Sequence, residues 1–380
     1  MNLLSANAMA GSNMKKLCIL ILAVTLLASS CGQASRTTDL RQMLSEIPFE
    51  LGSGDILWFS NMERIKELAG VDPDIDVSEY VNRETEVEVY RERMDILAGY
   101  TMSDFSGGTH LQRWQDAFGF DAFDTNHEIW ISQVEPKGTR PLFSVMKGSF
   151  DKNEIIEKLN NLGYQLKEYA STDYYSINED YQLGDIRSSQ TAGMAMSYLN
   201  RMMVTEGDII AAPADDIFFS VLDVRSGQQS SLEDSLAYTR VAEALGDVLG
   251  AALVPQSVLR SENVSEDWDN LHTYDLAGIG YQVEGQDRKV VIALHYADKS
   301  AADDINELNR RLAEYVIRTG SLETPLLSDL FDVDDPEVTV YGPDSILKVG
   351  LVYKPDTPRT LWSDMVELRD LGFLVSDPSK

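Results

Sequence analysis

"HEIWISQVEPKGTRPLFSVMKGSFDKNEIIEKL", His127 to Leu159, and "LAGIGYQVEGQDRKVVIALHYADKSAADDINEL", Leu276 to Leu308, decide the architecture. Gln133–Glu135 recurs at Gln282–Glu284, and the same offset of 149 carries Asp151 onto Ser300, Glu154 onto Asp303 and Ile156 onto Ile305. A shared tripeptide is expected by chance in a chain of 380 residues, but this register runs without a gap through strand, turn, strand, helix cap and helix. Apolar stripes at helical spacing follow each pair of strands: Ile155, Ile156, Leu159 and Leu162 in one, Ile305, Leu308, Leu312 and Val316 in the other. Each stripe is expected to cover one face of an antiparallel sheet, with Leu142–Lys147 matching Val291–Tyr296. Upstream, an offset of 153 carries "GDIL" at Gly54 onto "GDII" at Gly207, which places the copies at about 54–200 and 207–355. The competing reading makes "GDII" the last strand of the first half.

Working outward, helix starts are legible. Ser60, Asp151, Ser231 and Ser300 each stand three residues before an acid, so that side-chain oxygens can satisfy orphan backbone donors. Gly70, Gly163 and Gly320 supply stops. The expected fold class is α+β: antiparallel sheets covered by helices, in two related modules that each contain a ββαββ segment. The first module spans 46–205 and the second 206–380, with a surface insertion near 319–337 and a final helix near "TLWSDMVELRDLGF".

The amino-terminal end is a separate message. Lys15 and Lys16 precede an apolar run from Leu17 to Ala28, then Ser29, Ser30 and Cys31. A positive segment, a short apolar core and small residues are the grammar of a secretory signal, and the core is shorter than the roughly 20 residues a spanning helix needs. "LLASSC" resembles the lipobox of bacterial lipoproteins, with Ala28 where that family more often has Leu. The resemblance implies cleavage before Cys31, a diacylglyceryl thioether on its sulfur and acylation of the new amino terminus. Residues 1–30 are then the signal peptide, with translation expected from Met14, and 31–45 a lipidated flexible tether. Membrane contact through Cys31 on the extracytoplasmic side is the expected localisation.

Charge agrees with export. The chain carries a formal −30, and losing Lys15 and Lys16 with the leader makes it −32, a surface that repels nucleic acid and anionic headgroups. Cys18 lies in the leader and Cys31 is the lipid site, so the mature chain has no thiol pair for a disulfide and its stability rests on its core.

Chemistry is sparsely marked. His110, His127, His272 and His295 lack the i, i+4 pairing of a helical zinc site, and His295 inside "VVIALHY" reads as a core or edge residue. "DPDIDVSEYVNRE" at Asp72 starts like a calcium loop, but Val77 and Arg83 stand where that loop needs Gly and Glu; "DVDDPE" at Asp332 reads as a solvated acidic loop. Ser149 and Lys152 match S-x-x-K without its partner motifs. Trp58, Trp114, Trp130, Trp268 and Trp362, with Tyr174 and Tyr175, are at strand and helix spacing that favours core over a binding groove. No catalytic residue, cofactor or metal ligand is assigned. The expectation is a non-catalytic binding or interaction component of the cell envelope, with a protein or small-molecule ligand at the junction of the two modules. The alternatives are a solute-binding partner of a transporter and an envelope hydrolase using Asp, Glu and His.

Overall fold

The computed structural model describes residues 38–70, 115–121, 123–135, 138–182, 199–259, 268–285, 287–318, 325–358 and 360–376. Cys31, the loop at Asp72, His110, Trp114 and Gly320 lie outside the described residues. The described chain is a mixed α+β fold built on one antiparallel sheet of thirteen strands.

The first half contributes β1 (Ile56–Asn61), β2 (Thr125–Glu135), β3 (Gly138–Gly148), β4 (Gln165–Tyr169), β5 (Thr172–Ser176), β6 (Arg201–Val204) and β7 (Asp208–Ala212). The second contributes β8 (Gly250–Pro255), β9 (Leu276–Glu284), β10 (Asp287–Tyr296), β11 (Phe331–Val333), β12 (Glu337–Tyr341) and β13 (Asp344–Tyr353). The order is β11-β13-β10-β9-β8-β1-β2-β3-β7-β6-β5-β4, with β12 also on β13. In each half a strand, a long hairpin and a crossover helix are followed by a strand that returns beside the hairpin, β7 on β3 and β13 on β10.

That topology settles what is repeated. The hairpins β2–β3 and β9–β10 are equivalent, and β1 pairs with β2 as β8 pairs with β9. The upstream match of "GDIL" to "GDII" is therefore not part of the repeat: β7 closes the first half, and the counterpart of β1 is β8. The first half thus runs past the expected boundary at 205 to take in Asp208–Ala212. Superposing the hairpins lays Ile56–Asn61 on Gly250–Pro255, and because Trp58 pairs directly with its own counterpart Ala252, a pseudo-twofold axis passes between them.

One bulge corrects the strand match. Ile131 lies opposite Phe143 while Ser132 lies opposite Pro141, which leaves Leu142 unpaired; β9 and β10 pair without a break. Beyond the bulge Phe143–Lys147, not Leu142–Lys147, falls on Val291–His295. Side chains alternate faces along a strand, so without the bulge a one-residue slip would have moved every side chain beyond it to the opposite face.

Helices cover both faces. One face carries α2 (Met62–Ala69), α3 (Lys152–Asn161), α6 (Ile305–Glu314), α7 (Leu327–Leu330) and α8 (Leu361–Glu367), packed on Trp58, Trp130, Met146, Ile292 and Leu294. The other carries α1 (Asp39–Leu44), α4 (Asp215–Arg225) and α5 (Leu236–Leu245), packed on Phe59, Ile131, Phe143, Val291 and Ala293. A sheet buried on both faces rather than one explains why β1 and β8 read as continuous apolar runs, and both are buried at all six positions.

Several expectations shift. Thr38 caps α1, whose Leu40, Met43 and Leu44 are buried, so the folded body begins inside the segment read as tether. Asn61, not Ser60, caps α2, and Gly70 ends it in a left-handed conformation at φ 73°. Asp151 caps α3 as read, and Ser231 forms its box with Asp234 over a single 3-10 turn. Ser300 opens a 3-10 turn; the cap position of α6 is Asp304. Within the segment read as a surface insertion, α7 and β11 bury Leu327 and Phe331, and β11 joins the sheet beside β13.

Candidate functional site

The open end of the β9–β10 hairpin gathers two histidines and their acids. His295 and Tyr296 are adjacent at the end of β10 and project to opposite faces of the sheet. On one face the ring of His295, buried at 4% exposure, lies between Asp275 and Asp344, with Nδ1 and Nε2 each 3.2 Å from a carboxylate oxygen. The reading of His295 as a core or edge residue agrees with this burial, but the flanking acids come from just before β9 and from the start of β13 and carry no sequence spacing.

On the other face Tyr296 Oη donates to Asp304 Oδ2 at 2.8 Å. The same carboxylate accepts the backbone N–H of His272 at 2.9 Å, while its second oxygen accepts His272 Nδ1 at 2.7 Å. Asp304 is 2% exposed, whereas the His272 side chain keeps 52% of its surface in solvent. The hydrogen bond to Asp304 raises the His272 pKa above the ordinary histidine value against partial burial, and the charges of Asp304, Asp303 and Asp298 add to it. Burial, reinforced by Asp304, holds the Tyr296 hydroxyl protonated well above its usual range. The result is an exposed imidazole whose tautomer and orientation are set by an internal carboxylate.

Asp304 holds that imidazole at a cost to its own helix. It occupies the cap position of α6 but makes no capping hydrogen bond, while Asp151, the cap residue of α3, accepts Asn153 and Glu154 N–H groups at 3.0 Å each.

A second unusual group lies in the first half. Asp121 is fully buried; its Oδ1 accepts Phe123 N–H at 2.6 Å and its Oδ2 has no hydrogen-bond partner. Burial and the neighbouring Asp124 push its pKa up to about 7. Lys66 of α2 reaches the same turn, donating to Phe123 O, Thr125 O and Asn126 Oδ1, and burial lowers its pKa.

The other residues singled out in the sequence are placed differently. His127 Nε2 lies 3.5 Å from Asp39 and its ring stacks near Phe59, while Glu128 is buried beside Ser144. Lys152 opens α3 behind its cap Asp151, in keeping with a helix start rather than a nucleophile pair with Ser149. Trp58 stacks on Trp130 at 5.7 Å, Trp362 stacks on Tyr281, and Trp268 hydrogen-bonds Glu314, all within the core. Asp332 and Asp334 pair with Lys354 and Lys289. Among the described residues no three His, Cys, Asp or Glu side chains are gathered as metal ligands, and no helix is long and apolar enough to cross a membrane.

His272 with Asp304 is the arrangement sequence reading missed. The two are 32 positions apart, and the signal was obscured because Asp303 rather than Asp304 stood at the expected cap spacing.

Neither a family model nor a curated protein sequence matches the chain. Among solved structures it is similar to crystal forms I, III and IV of TP0453, at 8% identity in each. These cover 85–86% of this chain and 96–98% of the other, with TM-scores of 0.36–0.38.

Proposed function

We propose that the protein is an exported lipoprotein, acylated on Cys31 and held on the extracytoplasmic side of a membrane, whose folded body serves as a binding or interaction component of the cell envelope. The carrying observation is the juxtaposition of the Lys15–Cys31 signal with a body whose first cap is Thr38, seven residues after Cys31. A segment of that length spans at most about 25 Å fully extended, so the body rides close to the bilayer. Two or more acyl chains suffice for stable anchoring, and the −32 surface disfavours any further contact with anionic headgroups.

The continuous sheet supports an interaction surface over a cleft that closes on a solute. The junction of the halves is the hydrogen-bonded pair β1–β8, internal to one sheet and buried on both faces. Closure about such a junction would have to break its ladder.

Radiolabelled fatty acid should enter the native chain and not Cys31→Ala, and the mature amino terminus should be blocked at Cys31. Equal labelling of both proteins would refute the anchor. Retention of the body at the membrane after delipidation would refute the lipid as its sole hold.

A further inference from the structure

We propose that His272 and Asp304 form an acid–base centre that hydrolyses neutral or cationic carboxylic esters. This goes beyond the anchored interaction component above and does not depend on the lipid.

The geometry is that of a positioned base. Asp304 accepts from His272 Nδ1 at 2.7 Å, so the ring carries its proton on that nitrogen and keeps the lone pair on Nε2 of a side chain that is half exposed. The carboxylate is fixed in turn by the His272 backbone N–H and the Tyr296 hydroxyl, which leaves the pair little freedom to rotate. A helix-capping acid that has given up its capping bonds to hold an imidazole is not explained by the needs of the repeat. Asp151, the cap residue of the helix in the first half, simply caps α3, and the residues matching Asp304 and His272 at the offset of 149 are Ile155 and Phe123.

The chemistry follows from the base and its surroundings. Nε2 takes a proton from water as the water oxygen adds to the ester carbonyl; the imidazolium returns that proton to the departing alkoxide. One ester and one water give one carboxylic acid and one alcohol. Asp298 and Asp303, whose charges bear on the imidazole, repel anionic substrates and leave neutral or cationic ones. His272 is the catalytic residue and Asp304 a positioning residue.

The test uses p-nitrophenyl acetate with the soluble body from Gly32 onward and with the full lipidated chain, alongside acetylthiocholine and the anionic 4-acetoxybenzenesulfonate. Native protein is expected to exceed His272→Gln at least tenfold after buffer subtraction, with His127→Gln unchanged. The rate should climb with pH to a midpoint above the ordinary histidine value of about 6.5, because the base form appears only above its raised pKa. Asp304→Asn should shift that midpoint down and lower the plateau. Should Asp304→Asn not fold, the exposed pair Asp298→Asn and Asp303→Asn should still shift the midpoint down while leaving the plateau intact. Equal rates in native protein and His272→Gln would overturn the proposal, as would a midpoint unmoved by any of these variants or faster turnover of the anionic ester.

Discussion

The two halves of the sheet share a frame and differ in what they place upon it. At the end of the third strand, Lys147 reaches Glu46 at 2.6 Å and Asp208 at 3.5 Å; its counterpart His295 lies between Asp275 and Asp344. Both halves therefore close that end with a nitrogen base among acids, although the residues differ. Of the two helix-cap acids on the opposite face, Asp151 caps its helix and Asp304 holds His272. In the turn that leads into the second strand the first half buries Asp121 and the second presents His272. The repeat specifies backbone positions; it leaves the chemistry and the exposure of each position free to diverge.

The sharpest way to break this comparison is at its axis. Trp58 and Ala252 are counterparts that pair directly, so the volume of one large ring is supplied from one side only, stacked on Trp130. Trp58→Ala should cost about 3–5 kcal/mol in chemical unfolding, with both halves losing protection in hydrogen exchange. Loss confined to the first half would mean that the halves do not share a core.

Asp121 gives the next largest effect, and its sign depends on pH. Its folded pKa of about 7 lies above the unfolded value of 3.8, so the native state binds more protons between the two, and stability falls as pH rises through that window. Asp121→Asn keeps the acceptor for Phe123 N–H and removes the ionisation. The variant should gain on the native protein by up to about 4 kcal/mol at pH 8 and by little at pH 4. A constant difference across that range would show that Asp121 does not titrate there.

Gly278 tests how closely α5 packs on the second half. The first half has Ile129 at this position, whereas a Cβ on Gly278 would come within 2.2 Å of Val241 in α5. Gly278→Ala should cost about 1–3 kcal/mol by overpacking, and Val241→Ala in the same chain should return part of it. Strict additivity of the two would place the strain elsewhere.

The smallest expected effect is at the cap that was kept. Asp151→Ala should cost about 1 kcal/mol through the loss of two bonds to the first turn of α3. It should leave the His272 resonances unmoved, whereas Asp304→Ala should shift them.

The hairpin repeat was legible because an alternating strand, a turn and a helical stripe all leave local periodicities, and Gln133–Glu135 against Gln282–Glu284 fixed their register. The register failed beyond the hairpin turn, at Leu142, because a bulge changes pairing without changing the apolar pattern that announces a strand. The false match at "GDII" has a related origin: β1 and β7 are both buried strands that begin after a Gly-Asp turn, and only hydrogen-bonding partners tell a first strand from a last one. His272 and Asp304 were each visible as residue types, but their meeting depends on the fold, in which Tyr296 of β10 also donates to Asp304.

By itself the sequence determined the element types, the hairpin duplication, the cap at Asp151 and the acidic charge, since each rests on residue identity or on spacing along the chain. Tertiary structure alone decided that the halves share one sheet through β1 and β8, that Asp121 is buried with an unpaired oxygen and that Asp304 serves an imidazole instead of its helix. Burial and partnership are properties of distance in space. Strands separated by some 190 residues become neighbours only when folding pairs their backbones, and the environment of a carboxyl is fixed at that moment.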